Sequence, residues 1–180
     1  MSDLLARDHD EVGALFGGLS DAFGRGGARE VLGKLDYLWA RLAVHIRAEH
    51  LHLFPALIAA AVASEDGGMD GTPSADEVRA AVERLREDHD FFMRELASAV
   101  NAARESAARD AALDRGLLTQ IRGKVSAVAE RLAEHNRLEE SEVYLWPEAV
   151  LGGDELDALR AAMRRELENM PPRFSGGPPR

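Results

Sequence analysis

The sequence predicts an all-α fold: an up-down-up-down antiparallel four-helix bundle with a short extra C-terminal helix. Three observations carry this. The 180 residues are 46% hydrophobic but only 6% aromatic, and the Ala and Leu that dominate the apolar set favour helix. Strong turn signals are few and clustered: Gly24-Arg25-Gly26-Gly27, then Gly67 to Pro73, then Gly152-Gly153, then a Pro/Gly tail from Met170,. Between them, apolar residues recur at the three-and-four spacing of a helical face.

The first helix carries Leu5, Val12, Phe16, Leu19 and Phe23 on one stripe, with His9 in a core position. The second carries Leu35, Leu38 and Leu42, then His45, Glu49 and His52, then Ala56. Ser74-Ala75-Asp76-Glu77 has the form of a capping box opening the third,. That helix runs through Val78, Val82, Leu85, His89, Phe92, Leu96 and Val100. A break around Arg109 to Asp114 lacks Gly and Pro; it is required because a helix from Ser74 to Trp146 would be too long for a globular domain,. The fourth helix reads Leu118, Ile121, Val125, Val128 and Leu132, then His135, Glu139 and Glu142, then Trp146. Leu156, Leu159, Met163 and Leu167 give an amphipathic stripe to a C-terminal helix,. The expected organisation is a bundle over 1–150, the extra helix over 151–169 and a disordered tail over 170–180.

Composition narrows the function. With 22 Lys+Arg against 32 Asp+Glu the formal charge is −10, which disfavours nucleic acid and anionic membranes as partners. Cys is absent, so disulfides, thiolate metal sites and cysteine nucleophiles are excluded. No run of eighteen apolar residues occurs, and the N-terminus lacks a signal-peptide pattern,. The expectation is a cytoplasmic protein, monomeric or homodimeric.

Every stripe is interrupted by His or Glu, and the interruptions share a level. Residues facing each other on two antiparallel helices are equidistant from the turn that joins them. The midpoint of His9 and His45 is residue 27, that of Glu49 and His89 is 69, and that of His89 and His135 is 112. Each falls on an independently read turn. The bundle therefore brings His9, His45, Glu49, His89, His135 and Glu139 to one level of its core. Burying such groups costs several kcal/mol per ionised group unless something compensates. A pair of metal cations would, because imidazole and carboxylate suit iron, manganese and zinc. Two Glu can bridge the ions while two His fix each, leaving positions for a small ligand.

The chain also repeats itself. Asp8-His9-Asp10 recurs as Asp88-His89-Asp90, His45-x3-Glu49 as His135-x3-Glu139, and Phe54-Pro55 as Trp146-Pro147. An early His, then His-x3-Glu with a nearby Leu53-Phe54-Pro55, with both parts doubled over Leu4 to Pro147, resembles the hemerythrin-like family in its bacterial HHE cation-binding form. The resemblance implies a four-helix bundle holding two non-haem iron ions, carboxylate-bridged with an oxo or hydroxo bridge. It implies His9, His45, Glu49, His89, His135 and Glu139 as the ligands. It implies a small ligand such as dioxygen, nitric oxide or peroxide, with peroxide decomposition as an activity of some members and iron handling or sensing as the alternative.

The dioxygen carriers of that family have a further His one turn before the position of His89; here it is Leu85. His52 and Glu142, each three residues past a Glu on its stripe, are the candidates to replace it. His50 lies off the stripe and reads as solvated. Asp8 and Asp10 flank His9 but point away from it on a helix. Phe16, Phe54, Phe92 and Trp146 read as core or pocket lining, and Arg84, Arg86 and Glu87 as a solvated face.

Overall fold

The computed structural model describes residues 2–25, 27–64, 72–108, 114–174 and 176–178. Helix α1 spans Ser2–Arg25 and α2 spans Ala28–Ala48. Helix α2 continues through a π-turn, Glu49–Leu53, into α3, Phe54–Ser64. Then come α4, Ala75–Ala108, and α5, Arg115–Leu138, which runs into a second π-turn, Glu139–Val143. Two shorter helices follow, α6 over Trp146–Val150 and α7 over Gly153–Leu167. Among the described residues there is no strand.

The helix starts follow from local chemistry. Ser74 Oγ accepts from the Glu77 N–H at 3.2 Å while the Ser74 N–H donates to Glu77 Oε2 at 2.8 Å, a reciprocal cap on α4,. Asp114 Oδ1 accepts from the Leu117 N–H at 2.8 Å and caps α5,. Gly26, residues 65–71 and residues 109–113 lie outside the described residues, so much of each of the first three predicted turns does too.

Each long helix pairs with the next in the antiparallel sense. Asp8 and Glu11 of α1 meet His45 and Arg41 of α2 in reverse order. Asp36 and His50 reach Arg104 and His89 of the third long helix. Asp88 and Glu95 reach Arg131 and Lys124 of α5. The circuit closes where α1 packs on α5, with Arg122 over the Phe23 ring at 5.4 Å.

Among the described residues the core falls into two apolar clusters. One gathers Val12, Leu19, Leu35, Leu42, Phe92, Leu96, Val125 and Val128; the other gathers Leu5, Leu53, Phe54, Leu57, Val82, Leu85, Val143 and Tyr144. By length and mean hydropathy the stretch Ala28–Ala63 could cross a membrane. Its Leu35, Leu38, Leu42 and Leu53 instead face the other helices, and it carries buried Arg41, His45 and Glu49, which is how a core helix meets the same test.

Helix α7 buries Leu159, Met163 and Leu167 against α2 and the first π-turn. The tail after 170, expected to lack structure, begins with a 3-10 turn over Pro172–Phe174. Phe174 sits edge-on to Tyr37, ring centroids 5.4 Å apart, and Arg173 pairs with Asp36 at 3.2 Å. One aromatic anchor and one ion pair hold a segment whose composition alone would leave it loose.

Candidate metal centre

Between the two apolar clusters lies one polar layer. His9, His45, Glu49, His89, His135 and Glu139 all lie in it, none more than 7% exposed. Leu5 and Val12 flank His9 on opposite clusters, and Leu85 and Phe92 flank His89 likewise.

Their inward atoms form two groups. Glu49, His89, His135 and Glu139 offer donor atoms all within 4.8 Å of one another, and so do His9, His45 and Glu139. Both carboxylates span the groups. Glu49 turns Oε2 to His89 Nε2 at 3.3 Å and Oε1 to His45 Nε2 at 3.6 Å. Glu139 turns Oε1 to His135 Nε2 at 3.0 Å and Oε2 to His9 Nε2 at 3.3 Å. The two Nε2 atoms of His89 and His135 face each other at 3.1 Å.

The outer nitrogens are fixed by partners. His45 Nδ1 donates to Asp8 Oδ2 at 2.8 Å, His135 Nδ1 to Asp88 Oδ2 at 3.1 Å, and His9 Nδ1 to Glu140 Oε1 at 2.7 Å. A carboxylate can only accept, so each Nδ1 carries a proton and each ring turns its Nε2 inward. The fourth partner is a second imidazole: His50 Nε2 lies 2.9 Å from His89 Nδ1. Burial, then His89 and Arg86, lower the pKa of His50, keeping it neutral and able to accept,.

These outer residues correct the sequence reading. His50 is half-buried against His89 and Phe54 rather than solvated. Asp8 and Asp88 do point away from their neighbouring His, but each orients the His of the next long helix. The signal was present: both Asp belong to the repeat. Each Asp is also clamped by a guanidinium, Asp8 by Arg41 and Asp88 by Arg131.

His52 is half-buried and Glu142 exposed, and neither joins the two groups. The cause is the pair of π-turns, each of which starts at a Glu of the His-x3-Glu motif. Bonding from i to i+5 adds a residue to the turn. The inward positions therefore move to four and five residues past the Glu: Leu53 and Phe54, Val143 and Tyr144, all 0% exposed. Tyr144, absent from the sequence reading, brings its hydroxyl to 2.7 Å from Glu49 Oε1 and 2.8 Å from Glu139 Oε2.

The layer is built to hold positive charge. Glu49 Oε2 and Glu139 Oε1 are buried without a hydrogen bond of good geometry, although each faces an imidazole. Burial pushes the His135 pKa down, but the Glu139 carboxylate, the hydrogen bond to Asp88 and the charge of Glu49 outweigh it and raise it to about 10. Burial opposes ionisation of Glu139, yet His135 holds its carboxyl well below the usual range. Orphaned carboxylate oxygens and lone pairs converging without a thiolate fit a hard or borderline metal ion, so these buried groups could hold one.

No curated protein and no solved structure matches this chain significantly. A family profile does: that of the hemerythrin HHE cation binding domain matches residues 1–147. It ends before α7 and contains the whole polar layer. The chain belongs to the hemerythrin HHE cation-binding family.

Proposed function

We propose that this protein holds two non-haem iron ions, with His89 and His135 on one, His9 and His45 on the other, and Glu49 and Glu139 bridging them. The observation that carries the reading is that each carboxylate turns one oxygen to each pair of imidazoles. We read the four long helices as one up-down-up-down bundle over 1–150, with α7 as an added helix. The antiparallel ion pairs support that reading. The net charge of −10 favours a small neutral ligand over nucleic acid, and the burial of α2 in the core favours a cytoplasmic protein.

Bound iron would supply one-electron chemistry and open coordination positions for dioxygen, nitric oxide or peroxide. The chain contributes the rest. Asp8, Asp88, Glu140 and His50 hold the four imidazoles in one tautomer. The apolar clusters above and below exclude water, so the carboxylates act in a medium where charge is felt strongly. The turnover proposed for this site is peroxide decomposition.

Anaerobic reconstitution tests the proposal: we expect about two irons per chain, as carboxylate-bridged centres in helical bundles hold, and a visible absorption change on admitting air. One tightly bound zinc and no iron would overturn it. Peroxide loss by the iron-loaded chain and its absence in His135→Ala would establish turnover. Equal rates would favour iron handling or sensing, to which the Arg41 link between Asp8 and the Leu167 carbonyl of α7 also lends itself.

A further inference from the structure

The repeat breaks its own symmetry where each π-turn closes. Phe54 stands five residues after Glu49 and Tyr144 five after Glu139, and in both the N–H closes a π-turn by donating to that Glu carbonyl. Both rings are fully buried. Phe54 stacks on His89 with centroids 6.0 Å apart, while Tyr144 lies against His9 at 5.5 Å. The two halves therefore match in how each π-turn closes, and at this position they differ by a hydroxyl.

That hydroxyl is surrounded by acceptors. Tyr144 Oη lies 2.7 Å from Glu49 Oε1, 2.8 Å from Glu139 Oε2 and 3.1 Å from His9 Nε2. His9 has committed its proton to Glu140, so its Nε2 offers a lone pair. A phenol has one proton to donate, and three lone pairs face it. As a hydrogen-bond donor it would leave two of them buried and unmet, at about 1–3 kcal/mol each. A shared cation meets all of them. Donors about 2.1 Å from a six-coordinate ion lie about 3 Å apart along the octahedral edges, which is the spacing Oη keeps.

We propose that Tyr144 is itself a metal ligand, its oxygen binding the ion of the His9/His45 half and its proton leaving to solvent as that ion enters. The proposal rests on the two-ion reading above. It makes the centre asymmetric. The His9/His45 half has His9, His45, Glu49, Glu139 and Tyr144. The other has His89, His135, Glu49 and Glu139, with the apolar ring of Phe54 stacked on His89. The open position, and with it the small ligand, belongs to the His89/His135 ion.

Full-length chain loaded with iron and oxidised tests this by resonance Raman spectroscopy and iron analysis. We expect a phenolate-to-iron(III) charge-transfer band with enhanced tyrosine ring vibrations. These are lost in Tyr144→Phe and kept in Tyr37→Phe, which changes the other of the two tyrosines. Azide added to the ferric protein should give its own band and leave the ring vibrations in place. Iron-loaded wild type without tyrosine vibrations overturns the Tyr144 assignment and spares the two-ion reading. Ring vibrations that vanish with azide overturn the placement of the open position. A chain that takes up no iron overturns the reading on which both depend.

Discussion

Asp8 and Asp88 show how far a single residue reaches. Each accepts from a ligand-type imidazole across a helix interface and carries a guanidinium on its other oxygen. Outer partners of this kind typically set metal affinity by about 10–100-fold. Asp88→Ala should weaken metal binding by that factor in a chelator competition, whereas Asp90→Ala, the exposed flank of the same repeat, should leave it unchanged. Protons compete for the same lone pairs. With the pKa of His135 raised from an ordinary 6.5 to about 10, its imidazolium stabilises the metal-free fold fully below pH 6.5 and loses that contribution as pH rises through about 10. Metal uptake has the opposite slope, because the proton must leave first. Calorimetric titration with manganese(II) from pH 6 to 9 should show affinity rising with pH and proton release in the buffer heats. The inward His and Glu were legible because they interrupt apolar stripes. The Asp partners were not, because each acts across a helix interface and not on the His beside it in sequence.

The helices themselves were legible as far as each His-x3-Glu motif and misread beyond it. A 3.6-residue period carried past Glu49 selects His52 and Ala56, both only half-buried. The chain instead inserts a residue and turns Leu53, Phe54, Leu57 and Ala61 inward. Pro55 follows at once and supplies no N–H to the ladder,, which eases the departure from α geometry. Deleting Leu51, which is 57% exposed, removes little contact but restores the ordinary period and rotates α3 by about 100°. That deletion should abolish cooperative folding in urea, while Leu51→Ala should stay within about 0.5 kcal/mol of wild type. Helix α7 lies beyond the family match but not beyond the core. Met163 is fully buried, and Met163→Ala should cost about 2–5 kcal/mol in the same measurement.

At the scale of the molecule, the half-chain repeat and the turn midpoints made a single polar layer legible, but not what divides it or what lies beside it. Two apolar clusters, which could have merged, are separated by four imidazoles and two carboxylates. The metal-free chain keeps that arrangement at a cost, since two buried carboxylates share one phenol proton and one imidazolium. A cation bound by the native state and not by the unfolded chain returns stability in proportion to its saturation, about 4 kcal/mol at a thousandfold excess over Kd. For a chain of this size that corresponds to about 10 °C in Tm. Scanning calorimetry should therefore show Tm rising by that order on anaerobic iron(II) addition and falling back with chelator. Glu49→Gln separates the two effects: removing one buried charge should raise Tm of the metal-free chain, and losing a bridging oxygen should erase most of the metal-dependent rise. A wild-type Tm indifferent to iron, or a Glu49→Gln variant less stable than wild type without metal, would show that the layer is held by internal hydrogen bonds and does not depend on a cation.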